Sequence, residues 1–555
     1  MPVRNSSTRT KYIFVSGGVI SGIGKGLTAS SISFLLKSAG YKVAPIKFEN
    51  YLNLDAGTIN PIEHGDPFLC EDGTEGDMDI GSYEKFLNED MGKENFVTMG
   101  KIYNTVIERE RRFEYNGEDV EAIPHITDEI IGRITSLARK KSADIVIIEL
   151  GGTAGEYQNI LYYEASRIMT LKNPGDVIHV HVSYMPTPSH LGEPKTKPTQ
   201  LSVRTLNSMG IQPDLIIARS EKYLDQRRRD RFALFCNMHP EDIISNPDVD
   251  FVYEIPLTLH KQGIENRIFE KLGLPVKAPK ISEWKKMVEK AKARKTKSVE
   301  IVIVGKYFGT GDYQLRDSYA ALFDAIDHAA WHEGLEVKTR WIDAEKIEKD
   351  GTELIGKPDG IIVPIGWGER GAEGMISTSI FAYDKKIPYL GLCYGMQLAV
   401  VGFARRVLGW EDANTTENNP KTSHPVIHLI KSQKELMARR AYGGTMRLGG
   451  WEAQVKKGTM AYDIYKRSNK FIKGKDGLTS ERHRHRYEFN NSYAKDFEKA
   501  GLVISTRSVA EDLVEIIELP EKAHPFFMGT QGHPEYKSRP TDPHPIFIEF
   551  LKATA

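Results

Sequence analysis

The chain has 555 residues, 40% of them hydrophobic, with 75 Lys plus Arg against 75 Asp plus Glu. That length exceeds a single compact core and implies two or three domains. Balanced charge leaves no global field to draw the chain to nucleic acid or to an anionic membrane, so any anion site must be local.

The start, Met1 to Lys11, is polar, and no apolar run approaches a membrane span, so a cytoplasmic protein is expected. From Tyr12 to about Leu274, short apolar runs alternate with helix-length segments. Tyr12–Val15, Asp144–Ile148, Val177–Val180 and Asp214–Ile217 predict buried parallel strands. Directly after the first of these comes Ser16-Gly17-Gly18-Val19-Ile20-Ser21-Gly22-Ile23-Gly24-Lys25-Gly26, ahead of a predicted helix from Leu27 to Ser38. Glycines let backbone N–H groups close on phosphate oxygens, the helix N-terminus favours the anion, and Lys25 reaches toward terminal phosphates. Val19 takes the place of the first glycine of the common P-loop, and Gly26 stands where Ser or Thr would bind magnesium. A metal therefore needs other ligands. Glu149, at the end of the strand Ile145–Ile148, is one candidate, and Asp79 in the acidic string Glu71–Asp79 is another. That string reads either as part of a metal and triphosphate site or as a solvated loop. Lys47, after the strand Lys42–Ile46, is a second cation for the same face or an ordinary snorkelling lysine.

His125 in Ile123-Pro124-His125-Ile126-Thr127 reads as structural. Lys195-Thr196-Lys197-Pro198-Thr199-Gln200 gathers two ammonium groups with hydroxyl and amide donors and suits a second polyphosphate. Arg227-Arg228-Arg229-Asp230-Arg231 offers one further arginine, the rest of the run being a solvated helix face. The stretch Ile281–Ser298 is crowded with lysine and reads as a solvated helix and linker. A second α/β series opens at Val299–Val304 and continues through Gly360–Pro364 to Pro388–Gln397. There Cys393 sits in Gly391-Leu392-Cys393-Tyr394-Gly395, which predicts a nucleophile elbow whose following helix N-terminus favours the thiolate. A lone cysteine of this kind is more often a buried structural residue. Gln531-Gly532-His533-Pro534-Glu535 tips the reading toward catalysis, because it supplies a base and a carboxylate to hold its tautomer. The three cysteines, Cys70, Cys236 and Cys393, are far apart and odd in number, which speaks against a disulfide framework and for a reducing compartment. No C-x-x-C pair suggests zinc.

Taken together, these strings resemble the CTP synthase family, an amidoligase domain fused to a class I glutamine amidotransferase. The resemblance covers Lys11 to Ala553 and includes Gly65–Asp79, Pro124–Thr127, Lys195–Gln200, Phe235-Cys236-Asn237 and Arg482-His483-Arg484-His485-Arg486-Tyr487. It implies two three-layer α/β domains. A P-loop-like amidoligase with a mainly parallel sheet would span residues 1–280, a linker 281–298 and the amidotransferase 299–555. It further implies ATP- and Mg²⁺-dependent phosphorylation of UTP at O4, then displacement of phosphate by ammonia from glutamine to give CTP. By position, Gly22, Ile23, Gly24, Lys25, Gly26, Leu27 and Asp79 would bind ATP, with Asp79 and Glu149 on the metal. Ser21, Lys195, Thr196, Lys197, Pro198, Thr199, Gln200 and Arg231 would bind UTP, and also CTP as product and inhibitor. Cys393 would be the nucleophile, His533 the base and Glu535 its orienter. Gly366, Tyr394, Gly395, Met396, Gln397, Glu417 and Arg486 would bind glutamine, with the N–H groups of Gly366 and Tyr394 facing the oxyanion. A homotetramer, GTP as allosteric activator, a glutaminase lid around Gly444–Gly449, and no nucleic-acid or membrane partner are also expected.

The chain departs from the family pattern in four places. Ile365 replaces the first glycine of the oxyanion loop Pro364–Gly368 and would strain it if that position were left-handed. Gln158, in Gly155-Glu156-Tyr157-Gln158-Asn159, replaces an acid that helps recognise cytosine, which weakens the expectation of CTP feedback. Gly22 replaces a serine, and Glu49-Asn50-Tyr51 replaces Asp-Pro-Tyr. Two alternatives follow: a relative whose glutaminase is impaired by Ile365 and runs on free ammonia, or a filament-forming regulatory subunit.

Overall fold

The computed structural model describes residues 9–60, 65–190, 192–310, 313–314, 316–439 and 443–555, so the polar start Met1 to Thr8 lies outside the described residues. The chain divides into two compact units, Met1–Asp55 with Ser82–Val288, and Ala56–Gly81 with Glu289–Ala555.

Strands β1 (Lys11–Gly18), β2 (Val43–Glu49), β3 (Phe96–Thr98), β4 (Ile145–Leu150), β5 (Val177–Tyr184), β6 (Leu215–Ser220) and β7 (Ile243–Pro247) form one sheet of the first unit. Their order is β3-β2-β4-β1-β5-β6-β7, and every pairing is parallel. A parallel sheet is covered on both faces, which is why these strands run apolar without alternating. All six residues of β4 are buried. Ile145, Val146, Ile147 and Ile148 are each 0% exposed, and each such side chain stabilises the fold by about 1.5–3 kcal/mol relative to leaving it in water. Register pairs Val15 with Glu149. Because β1 runs on to Gly18, the glycine loop and the Glu149 carboxylate meet at the same C-terminal edge, where open α/β sheets bind ligands. Helix α1 (Lys25–Ser38) returns from that loop and buries Ala29, Ile32, Leu35 and Leu36, while helix α3 (Lys197–Ser208) follows β5.

The lysine-rich stretch is less solvated than its composition suggests. Residues Ser282–Lys292 form a helix that buries Trp284 and Val288. The Trp284 ring packs 4.4 Å from Phe34 and 5.2 Å from Phe86, centroid to centroid. Its lysines occupy the other face.

Nine strands form the main sheet of the second unit: β8 (Ser298–Gly305), β9 (Glu336–Asp343), β10 (Gly360–Val363), β11 (Tyr389–Leu392), β12 (Arg447–Val455), β13 (Leu478–His485), β14 (Val503–Ser508), β15 (Val514–Glu518) and β16 (Phe527–Thr530). The order β9-β8-β10-β11-β16-β15-β14-β12-β13 is parallel from β9 to β16 and antiparallel beyond. Alternate residues of β8 feed two cores, Val302 and Val304 into one and Ile301 and Ile303 into the other. Helix α4 (Tyr394–Val407) leaves β11 and adds Leu398 and Val401 to the first core.

Segment Ala56–Gly81 groups with this second unit. It carries a short hairpin of Phe68–Leu69 against Glu75–Gly76, and helix α2 (Met78–Leu87) follows. Arg484 on β13 donates to Glu75 at 2.6 Å and Asp66 at 3.3 Å. Arg482 donates to Glu71 at 3.1 Å and to the Leu69 carbonyl at 2.9 Å. Buried ion pairs hold together only when their remaining polar atoms are also matched, and the Tyr536 hydroxyl meets Asp66 at 2.8 Å. Two acids of the string Glu71–Asp79, Glu71 and Glu75, are thus paired with arginine.

Candidate active site

Cys393 follows β11 and caps α4 with φ 53 and ψ −100. A non-glycine residue in such a conformation costs on the order of 1–3 kcal/mol, which the surroundings must offset. Those surroundings are tight. A Cβ added at Gly395 would lie 1.9 Å from the Val363 carbonyl oxygen, and one at Gly391 would lie 2.8 Å from the Gly395 backbone. The Cys393 N–H donates to the Thr530 carbonyl at 2.7 Å. Its Sγ accepts from Gln531 Nε2 at 3.5 Å and lies 3.8 Å from the Arg484 carbonyl oxygen.

His533 and Glu535 share the turn that follows β16. His533 Nδ1 meets Glu535 Oε1 at 2.7 Å, and the His533 N–H donates to the Arg482 carbonyl at 2.8 Å. The other ring nitrogen, Nε2, is buried and finds no hydrogen bond of good geometry among the described residues. Burial alone would lower the pKa of His533; its interactions with Glu535 and Cys393 outweigh it and raise it to about 10. A cysteine, a histidine and a carboxylate brought together in this way are the parts from which nucleophilic thiol catalysis is built.

Loop Pro364–Gly368 shows why Ile365 is tolerated. Within it only Gly368, at φ 68, has positive φ, so the condition under which Ile365 would strain the loop is not met. The Ile365 side chain is instead 2% exposed and belongs to a hydrophobic core. Glu417 accepts from the Gly368 N–H at 2.8 Å; burial pushes its carboxyl up, with that N–H and Lys306 pulling it back. Arg486 donates to Thr445 at 3.0 Å and to Gln433 at 2.5 Å. Tyr394, Met396 and Gln397 are buried in the first turn of α4. The Gln397 amide donates to the Tyr487 carbonyl at 2.9 Å and to Gln531 at 3.2 Å.

In the first unit, Gly24 caps α1 in a left-handed conformation and offers no side chain to the helix N–H groups, the kind of N-terminus at which anions bind in other proteins. Lys25 donates to the Gly152 carbonyl at 2.7 Å, and its stem packs on Gly17, where an added Cβ would lie 2.5 Å from Lys25 Cδ and displace it. Ser21 and Gly22 are exposed, while Ile23 and Gly26 are buried. Glu149 is 1% exposed; its two oxygens meet the Tyr83 hydroxyl at 2.8 Å and Lys47 Nζ at 3.4 Å. Lys47 also pairs with Glu49 at 3.0 Å, so it is an ion-pairing cation, not a snorkelling one. Asp79 lies in the first turn of α2. No group of three or more His, Cys, Asp or Glu among the described residues forms a metal cage. Magnesium needs no such cage, since it takes one or two carboxylates and completes its shell with water and substrate phosphate; Glu149 is a carboxylate of that kind at the C-terminal edge of its sheet.

Gln200 donates to Thr196 Oγ1 at 3.0 Å, and Thr199 Oγ1 accepts from Ser183 at 3.0 Å. Lys195 pairs with Glu193, and Pro198 sits in the first turn of α3. Arg231 is exposed on helix Gln226–Cys236. Arg228 of the same helix, not Arg231, reaches that loop, donating to the Pro194 carbonyl at 3.2 Å. His125 accepts from the Glu121 N–H at 3.0 Å. His181 was not singled out from sequence. It bridges Ser16 Oγ at 2.9 Å and Ser202 Oγ at 2.8 Å, and burial, with Lys25 adding to it, lowers its pKa to about 3. A neutral ring therefore ties β1 to α3. A histidine inside a strand gives no signal of such a role. All three cysteines are buried and none is in a disulfide, and no described helix is long and apolar enough to cross a membrane.

Comparison with known proteins matches both halves. A family model described as CTP synthase N-terminus covers residues 11–274, and one described as glutamine amidotransferase class-I covers residues 314–553. The CTP synthase of Pyrococcus abyssi is 48% identical over 98% of this chain and 98% of its own. That of Sulfolobus acidocaldarius is 46% identical over 98% of this chain and 100% of its own. A solved glutaminase domain of Trypanosoma brucei CTPS with bound acivicin is 33% identical, with a TM-score of 0.40, over 46% of this chain and 93% of that one. With near-half identity running the full length and both halves matched in order, the chain belongs to the CTP synthase family.

Proposed function

We propose that this chain makes CTP from UTP, ATP and glutamine, with the glutamine chemistry at Cys393 and the nucleotide chemistry at the glycine loop. The observation that carries this reading is a strained elbow, Cys393 at φ 53, in the same chain as a parallel sheet whose first strand opens into a phosphate loop. The Cys393 thiolate attacks the carboxamide carbon of glutamine. The Gly366 and Tyr394 N–H groups stabilise the oxyanion, and His533 gives its proton to the leaving ammonia. Water then hydrolyses the thioester to glutamate and restores the thiol. In the other half, O4 of UTP takes the terminal phosphoryl group of ATP, releasing ADP. Ammonia adds at C4, and phosphate leaves with the oxygen.

Lys25 and the α1 N-terminus hold the phosphates, Gly22 to Leu27 form the ATP loop, and Ser21, Lys195–Gln200 and Arg231 bind UTP. Asp79 and Glu149 would hold Mg²⁺, which supplies charge neutralisation on the transferred phosphoryl group. Residues 1–280 carry the amidoligase, 281–298 the link and 299–555 the amidotransferase. Homotetramers in the cytoplasm, GTP activation and a lid at Gly444–Gly449 complete the reading on the strength of family membership. An unstrained Ile365 removes the reason for an impaired glutaminase, and no observation favours a purely regulatory subunit.

The test is CTP formation followed by absorbance with purified protein, UTP, ATP and Mg²⁺. Product is expected with either glutamine or ammonium and none without ATP. No CTP from either nitrogen source would overturn the reading.

A further inference from the structure

Strand β8 ends at Gly305, and the next residue, Lys306, is 2% exposed. Its ammonium donates to the carbonyl oxygens of Trp367 and Gly368, each at 2.6 Å, and lies 4.9 Å from the centre of the Tyr394 ring. Its stem packs on Gly366, where an added Cβ would sit 2.6 Å from Lys306 Cδ and 3.1 Å from Tyr394 Cδ1. The same strand end makes a second hold. The Lys306 N–H donates to the Tyr319 hydroxyl at 3.1 Å, and that hydroxyl donates to the Ile365 carbonyl at 3.2 Å. Tyr394 adds a third, donating to the Gly368 carbonyl at 2.8 Å.

These contacts fix directions as well as positions. In a planar trans peptide the C=O and the following N–H point opposite ways. Pinning the Trp367 carbonyl on Lys306 therefore sends the Gly368 N–H the other way, where it donates to Glu417 at 2.8 Å. Pinning the Ile365 carbonyl on Tyr319 likewise aims the Gly366 N–H away from Tyr319. An oxyanion donor works only when it is held in place before the charge develops, and burying a lysine is costly unless its donors are matched.

We propose that Lys306 is a positioning residue for glutamine hydrolysis: with Tyr319 it clamps the Ile365–Gly368 peptides so that the Gly366 N–H stays aimed at the oxyanion formed at Cys393. This rests on Cys393 being the glutaminase nucleophile. The charged groups acting on the ammonium are Glu417, Arg370, Glu348 and Glu345. Burial lowers its pKa to about 8, with Glu417 pulling up, Arg370 pushing down, and Glu348 and Glu345 pulling up. The clamp therefore weakens as pH rises through about 8.

The experiment compares full-length wild type, Lys306→Met and Tyr319→Phe. It measures glutamine-dependent and ammonia-dependent CTP formation, the pH profile of the former, and the rate at which iodoacetamide alkylates Cys393, a reaction that uses no oxyanion donor. Lys306→Met is expected to lower the glutamine-dependent kcat by about 100-fold while changing KM for glutamine by less than about threefold. Its ammonia-dependent rate and its alkylation rate should stay at the wild-type value, and the alkaline fall of the wild-type profile near pH 8 should vanish. A glutamine-dependent kcat within about threefold of wild type, or a parallel fall in alkylation, overturns the proposal. If Lys306→Met also loses ammonia-dependent activity, Tyr319→Phe decides: a drop of about fivefold or more in glutamine-dependent kcat alone supports the clamp, and anything less overturns it. Wild type that makes CTP from ammonium but not from glutamine would sink the glutaminase reading itself, a result distinct from either variant outcome.

Discussion

Two corners of this molecule are built alike and packed differently. The glycine loop between β1 and α1 and the elbow between β11 and α4 both leave the C-terminal end of a parallel strand and enter a helix N-terminus. Each holds a non-glycine residue at positive φ, Val19 at 82 and Cys393 at 53. The difference is in the packing. Around Gly22 there is open space within 4 Å, whereas Gly395 touches Val363 so closely that no Cβ fits. Val19 and Ile20 are exposed and Cys393 is buried. An open corner leaves room for a large ligand at its backbone, while a closed one fixes a single sulfur atom in the core. On the proposed reading the same backbone turn serves as a cradle or as a nucleophile according to what is packed behind its glycines.

Lys25→Ala should cut CTP formation by about 1,000-fold with both nitrogen sources, because it removes a cation from the transferring phosphates. An effect confined to glutamine would place Lys25 in the wrong chemistry. Gly395→Ala should destabilise the protein by about 3 kcal/mol through overpacking against Val363. Gly22→Ala meets only the left-handed backbone, a cost of about 1–2 kcal/mol. Denaturant titrations of both variants test the ranking, and equal losses would deny the packing difference.

A smaller effect concerns pH. His533 stands at about 10, above its ordinary value of 6.5. A raised folded-state value lends stability that is fully present below the unfolded value and lost as pH rises through the folded one. The contribution from His533 should therefore decline between pH 6.5 and about 10. Glu535→Gln should flatten that decline, read by denaturation at about pH 6.5 and about pH 9.5, and slow glutamine-dependent turnover about 100-fold. An unchanged slope would detach Glu535 from the imidazole.

Both corners were legible in the sequence because each is local: glycines at fixed offsets after an apolar run announce a strand, a turn and a helix. The His533–Glu535 pair was legible for the same reason. What escaped depends on chain segments far apart. Lys306 finds its partners some sixty residues on, at Trp367 and Gly368, and a lysine after a strand carries no mark of burial. Trp284 hides in a lysine-rich helix because one face suffices to dock it. Arg228 and Arg231 are indistinguishable by composition, yet only the former reaches the Glu193–Pro194 loop. The concern over Ile365 turned on one dihedral angle, which depends on the shape of the whole loop.

The division of labour between the two corners has one direct measurement: CTP formation by Cys393→Ala with glutamine and with ammonium. If the labour is so divided, the variant loses the glutamine-dependent rate by at least about 1,000-fold and keeps the ammonia-dependent rate of the wild type. Loss of both rates, or retention of glutamine-dependent synthesis, would contradict it.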